Sequence, residues 1–203
     1  METLTVNRQP DVTRARLLEA AFAEIHRNGY QAASLTDILT TAGLTKGALY
    51  HHFADKQALG LAVLDEVIGA YIQRNFITPL VDAHSPVDAL LRTLEELGRS
   101  TCDASTALGC PFNNLMQEMS GIDPAFQQRL EHWLAVWQNA FSNALLRAQR
   151  NKEVRADVDC EAAALFIIAG MEGCMSLAKN HQSAATLRQC GGQLISYINM
   201  LKA

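Results

Sequence analysis

The amino-acid sequence predicts an all-α chain, and three features carry that prediction. Apolar residues recur at spacings of three and four along nearly the whole length, and no segment shows the strict alternation of a half-buried strand. The breaks between periodic segments hold capping residues, glycine or proline, which are the ordinary punctuation of helices.

The first helix is expected over about 11–28, where Leu17, Leu18, Ala21, Phe22 and Ile25 share one face and Gly29 stops it. Ser34 can cap a short second helix that turns Ile38 and Leu39 inward, with Asp37 favouring its positive start, and Ala42-Gly43 ends it. Thr45 can cap a third helix reaching Phe53, and Asp55 a long fourth carrying Leu59, Ala62, Val63, Glu66, Val67 and Tyr71. Ser85-Pro86 and Asp123-Pro124 each place a capping residue before a proline at the first helical position, where a missing N–H costs nothing. Further helices follow at about 87–102, 110–119, 124–152, 160–180 and 184–201, making about nine.

Composition narrows the function classes. The 203 residues carry a formal charge of −4, so any grip on nucleic acid must come from local placement of charge. The acid excess lies outside the amino-terminal segment: residues 1–56 hold 6 Lys+Arg and 6 Asp+Glu, whereas 57–156 hold 8 and 11. Five cysteines, odd in number and never spaced C-x-x-C, argue against a disulfide framework and a structural zinc site. The amino terminus is polar, and no apolar run approaches the roughly 20 residues of a membrane span, so a cytoplasmic, membrane-free protein is expected.

The segment Thr45 to Phe53 concentrates the chemistry. Leu49 and Phe53, four apart, anchor one face of a short helix, while Lys46, Tyr50, His51 and His52 crowd the remainder with donors. A helix entering a major groove roughly 12 Å wide needs small or donor-bearing residues near its amino end. Gly47 and Ala48 allow close approach, Thr45 and Lys46 stand where unpaired N–H groups favour phosphate, and Lys56 can reach the flanking backbone. Ser34 and Thr36, across the glycine turn, can touch the other strand. Residues 1–56 thus read as a helix-turn-helix DNA-binding domain, and 57–203 as a larger helical domain.

Residues 11 to about 65 resemble the amino-terminal domain of the TetR family of bacterial transcriptional regulators. The likeness rests on Asn28-Gly29-Tyr30, then Ser34, Thr36, Asp37 and Ile38, then Ala42-Gly43, then Thr45 through Phe53 and Asp55-Lys56. It implies base reading near Thr36, Lys46, Ala48 and His51, and phosphate contacts from Tyr50, His52 and Lys56. It also implies a repressor that is a homodimer on a palindromic double-stranded operator and is released by a small-molecule inducer.

The remaining two-thirds resembles the family only in length and helical layout, so its roles are assigned by region. Stripes containing Phe166, Gly170 and Gly173, and Leu187, Leu194 and Ile198, suit a dimer interface on the two closing helices. Phe112, Met116, Trp133, Trp137, Phe141 and Met175 are candidates for the wall of a ligand pocket, as well as for ordinary core. Cys110 falls at a helix start, a setting that lowers a thiol pKa, and some regulators of this kind sense oxidants or electrophiles with a cysteine in a similar Gly-Cys setting; the competing reading is a small buried hydrophobe.

Enzyme classes find no support. There is no Gly-x-Ser-x-Gly elbow, phosphate-cradling glycine loop or His-Glu-x-x-His helix, and no cofactor or metal is expected. His51 and His52 diverge by about 100° on a helix, which is poor for a shared metal. The competing class is a helical small-molecule-binding or interaction module that does not bind DNA.

Overall fold

The computed structural model describes residues 9–203, with side chains from residue 11, so the first eight residues of the expected 1–56 domain lie outside it. Nine helices longer than one turn form among the described residues. They are α1 (Gln9–Asn28), α2 (Leu35–Ala42), α3 (Lys46–His52), α4 (56–81), α5 (Pro86–Ser100), α6 (Pro111–Met119), α7 (Pro124–Arg150), α8 (Cys160–His181) and α9 (Ala184–Met200). A single turn, Asp103–Thr106, precedes α6. No strand forms among the described residues, where an isolated bridge joins Val154 and Lys202.

The expected caps set the helix starts. Ser34 Oγ accepts from Asp37 N–H at 3.3 Å, Thr45 Oγ1 from Ala48 N–H at 3.3 Å, Asp55 Oδ1 from Ala58 N–H at 2.7 Å, and Ser85 Oγ from Asp88 N–H at 3.3 Å. Gly43, at φ 61°, closes α2 in the left-handed conformation: its N–H donates to Thr40 and the Leu44 N–H to Leu39. One element departs from expectation. The fourth helix is not regular, because wide i→i+5 turns occupy Val63–Gly69 and Gln73–Ile77.

The described residues divide into two compact units, one of 9–69 with 114–129 and the other of 70–113 with 130–203. The first is built on Leu17, Ala21, Ile38, Leu49 and Leu59, all fully buried. Residues from the end of α6 and the start of α7 complete it. The Glu118 carboxylate accepts from the Tyr30 and Gln31 N–H groups, both at 2.8 Å, just beyond the end of α1. Tyr30 packs on Phe126 with ring centroids 4.5 Å apart, and burial pushes its phenol pKa up to about 12. Gln57 Nε2 donates to Asp123 at 2.6 Å, and Arg129 pairs with Asp65.

The second unit has an aromatic centre: Trp137 lies against Phe76, Phe112 and Phe141, at centroid separations of 4.8, 6.3 and 6.0 Å. Helices α8 and α9 pack on each other, with Cys174 and Ala178 of α8 sharing a buried cluster with Leu187 of α9, and Gly170 facing Leu194. Contrary to the expectation from cysteine spacing, Cys174 and Cys190 form a disulfide between these helices, with Cα atoms 5.5 Å apart. Spacing rules for local motifs do not register two cysteines that meet only because two helices pack. Helix α8 is long and apolar enough to cross a membrane by composition, but its buried face includes Glu172.

Gly60 fixes how closely the first unit closes. A β-carbon there would lie 2.5 Å from Tyr30 Cε2 and 2.9 Å from Phe126 Cζ, so a methyl group must displace the aromatic pair. Gly60→Ala should therefore lower stability by about 1–3 kcal/mol despite its better helix propensity. Urea unfolding checks this, and an unchanged midpoint would mean that the rings yield freely.

Candidate nucleic-acid interface

The exposed surface of α3 follows from what holds that helix in place. Leu49 is fully buried and Phe53 nearly so, and Arg14, paired with Glu66, lies over the Phe53 ring at 5.0 Å. Arg16 donates to the Ala42 carbonyl and so occupies the carboxyl end of α2. With that side fixed, Thr45, Lys46, Gly47, Tyr50 and His51 are exposed, and Ala48 and His52 partly so. Tyr50 keeps 55% of its surface, a large exposure for an aromatic residue. The His51 and His52 rings meet edge to face at 5.0 Å.

The capping hydroxyls keep a second capacity. Ser34 and Thr45 use an oxygen lone pair to accept from the backbone, which leaves each O–H able to donate to phosphate. Thr36 is exposed in the first turn of α2. Lys56 is more committed than its sequence position suggested. Its Nζ donates to the Gln31 carbonyl at 3.0 Å and lies 4.9 Å from the Tyr30 ring centre, so it braces the turn after α1. That turn also receives Glu118, which sequence reading missed because no local signal marks a carboxylate 88 residues away.

The residues assigned to the larger domain fall differently. Phe112, Trp137 and Phe141 come together but are buried as core, while Trp133 and Met175 are partly exposed. Met116 belongs to the first unit, not with these. On the closing helices, Phe166 is 54% exposed and Gly173 is open, whereas Leu187, Leu194 and Ile198 are buried within the chain. Gly170 faces Leu194, whose Cδ1 lies 3.0 Å from where a β-carbon would stand. The periodicity marked both helices as apolar without separating the face toward their own neighbours from the free one.

Cys110 departs from the thiol activation expected at a helix start. Its thiol donates to Glu172 Oε1 at 3.3 Å, and burial together with the Glu172 carboxylate pushes its pKa well above the ordinary value rather than below it. Burial likewise raises the Glu172 carboxyl to about 7. Two buried atoms in this unit, Glu172 Oε2 and Trp137 Nε1, have no hydrogen-bond partner. Among the described residues no cluster of His, Cys, Asp and Glu suits a metal ion.

Two short capped helices joined at a left-handed glycine, the second anchored by Leu49 and Phe53 and open on its polar side, define a helix-turn-helix DNA-binding module. Family comparison agrees: residues 17–63 match the bacterial regulatory proteins of the tetR family, and residues 86–191 match the tetracyclin repressor-like C-terminal domain. The chain belongs to the TetR family; it is a DNA-binding transcriptional regulator and not an enzyme. It is 30% identical to the transcriptional regulator AcuR of Cereibacter sphaeroides over 84% of this chain and 78% of that one. It is 26% identical to the HTH-type transcriptional repressor DhaR of Mycobacterium sp. strain GP1 over 87% of each. A TetR transcriptional regulator of Chloroflexus aurantiacus superposes with a TM-score of 0.83 at 27% identity, covering 96% of this chain and 98% of its own.

Two predictions follow from these environments. Lys46→Ala with Tyr50→Phe removes a cation and a phenolic hydroxyl from exposed positions, so operator affinity should fall at least tenfold while the melting temperature stays within about 2 °C. Fluorescence anisotropy on a selected operator checks this, and unchanged affinity would remove α3 from the interface. For Glu172, the folded carboxyl keeps its proton between about 4.5 and 7 while the unfolded one loses it. Stability from this group is therefore complete below 4.5 and falls as pH rises to 7, by something on the order of 3 kcal/mol. Glu172→Gln should flatten that part of the pH–stability curve; an identical slope would mean that the carboxyl titrates normally.

Proposed function

We propose that the protein is a homodimeric repressor that holds a palindromic operator through α3 of each subunit and releases it when a small molecule binds the helical unit. The observation that carries this reading is the exposure of Thr45, Lys46, Tyr50 and His51 on a helix fixed from behind by Leu49 and Phe53. Residues 34–56 alone are too weakly cationic to bind firmly as one copy, and two-fold pairing doubles the contacts. The pairing surface runs along the free face of α8, through Phe166, Ala169, Gly173 and Leu177, with Tyr197 of α9 packed 4.8 Å from Phe166. This face replaces Leu187, Leu194 and Ile198, which are spent within the chain.

Ligand binding is best supported in the second unit, where the Trp137 indole N–H, set among buried aromatic residues, and a Glu172 carboxyl oxygen each lack a partner. To act as an inducer, the ligand must bind the released state more tightly than the operator-bound one, and a coupling of about 1–3 kcal/mol is ordinary. Two routes run along the chain into the first unit. One is α4, whose wide turns at Val63–Gly69 end where that unit ends, and the other is 114–129, which carries Glu118. An oxidant or electrophile acting at Cys110 is the less supported form of induction, because the side chain is half-buried and desolvation with the Glu172 carboxylate raises its pKa. A helical module without DNA binding leaves the exposed α3 surface unexplained. The setting is the bacterial cytoplasm, where the operator is.

Selection from a random duplex pool tests the reading directly. It should enrich a palindrome whose half-sites are about one helical turn apart, bound with a steep fall of affinity as salt rises. Phe166→Asp should give a monomer in sedimentation and lose at least tenfold in affinity for that duplex. No enriched sequence would overturn DNA binding, and enrichment of a lone half-site by a monomer would overturn the dimer.

A further inference from the structure

We propose that the groove between α5, α8 and α9 is a second small-molecule site, built for a single-chain amphiphile with a carboxylate head. The cavity measures about 360 Å³, at the lower end of the small-molecule range, and is predominantly apolar. Its walls are Leu94 and Leu97 of α5, Met171 of α8, and Leu187, Leu194 and Ile195 of α9. Neither Trp137 nor Glu172 lines it, so it is separate from the aromatic centre.

Glycine makes the space. Gly191 and Gly192 have nothing within 4 Å of where a β-carbon would stand, and at Gly98 the nearest atom is Arg188 Cγ at 3.9 Å. Three side chains are missing where three helices could otherwise have filled the gap. Two glycines inside α9 also lose about 1 kcal/mol each of helix propensity relative to alanine, which an empty gap does nothing to offset.

The mouth sets the chemistry of the head group. Glu95, Arg99 and Arg188 line the cavity and are exposed, so the polar end of an occupant meets two guanidinium groups and one carboxylate. Arg99 is paired with Glu96 at 2.8 Å, while Arg188 forms no ion pair among the described residues and is the cation available. An anionic head at Arg188 with an alkyl tail along Leu94, Met171 and Leu194 satisfies both ends. The groove lies on the flank of α9 opposite Tyr197: Gly192 and Ile195 stand about 140° and 160° around the helix from Tyr197, at 100° per residue. It therefore stays open when the Phe166 face is paired.

The occupant would bridge α5 and α9 beside the Cys174–Cys190 disulfide, whose Cys174 also lines the cavity. Decanoate, decanol and decyltrimethylammonium, titrated into the full-length protein by calorimetry below their micelle-forming concentrations, test the assignment. Decanoate should bind one per chain, at least fivefold tighter than decanol, with the ammonium weakest. Gly192→Phe, whose β-carbon meets nothing within 4 Å and whose ring would fill the groove, should abolish decanoate binding while preserving the dimer. Arg188→Glu, at an exposed position, should weaken decanoate but leave decanol unchanged. The proposal is overturned by absence of saturable binding, by equal affinity for all three probes, or by binding that survives Gly192→Phe but is lost in Trp137→Ala. None of these readouts involves operator, so failure here leaves the DNA-binding reading untouched.

Discussion

The structure depends on a joint at which the turn after α1 is held by residues far along the chain. Two backbone N–H groups, of Tyr30 and Gln31, end on the Glu118 carboxylate, and the Tyr30 ring packs on Phe126 with both rings against the bare backbone of Gly60. Hydrogen bonds to a charged acceptor are worth about 1.5–3 kcal/mol, and a buried aromatic contact adds to that. The turn leads directly into Ser34 and α2, so its position sets where the helix-turn-helix begins. Lys56 braces the same turn from the start of α4.

That joint explains how a short α3 can serve as a reading element. Seven residues are too few to be stable alone, so α3 exists because Leu49 and Phe53 are buried and because α1, α2 and α4 are fixed around them. The same arrangement makes the reading surface sensitive to the rest of the protein. Glu118, Asp123 and Arg129 belong to the stretch 114–129, and they reach the head through Tyr30, Gln57 and Asp65. On the proposed function, a signal that moves this stretch shifts α2 and α3 without touching an exposed residue of α3.

Much of the head was legible in the sequence because its signals are local. Ser34, Thr45 and Asp55 cap the helices they were expected to cap, Gly43 takes the left-handed turn, and Leu49 and Phe53 are buried as their spacing required. What stayed hidden is long-range. Glu118 carries no motif, the Cys174–Cys190 bridge depends on how α8 meets α9, and Cys110 sits at a helix start yet is governed by burial and Glu172. On α8 and α9, a hydrophobic period could not tell Ile198, which faces inward, from Phe166, which faces out. Cavities are the extreme case, because Gly191 and Gly192 signify space only once α5 stands opposite them.

Hydrogen exchange at the Tyr30 and Gln31 amides tests the joint most directly, in the free wild-type protein and in Glu118→Ala. If Glu118 holds the turn, both amides are protected in the wild type and lose protection on the order of tenfold to a hundredfold in the variant, while the Leu17 amide within α1 is unchanged. Equal protection of Tyr30 and Gln31 in the two proteins would contradict the claim that this carboxylate positions the reading head.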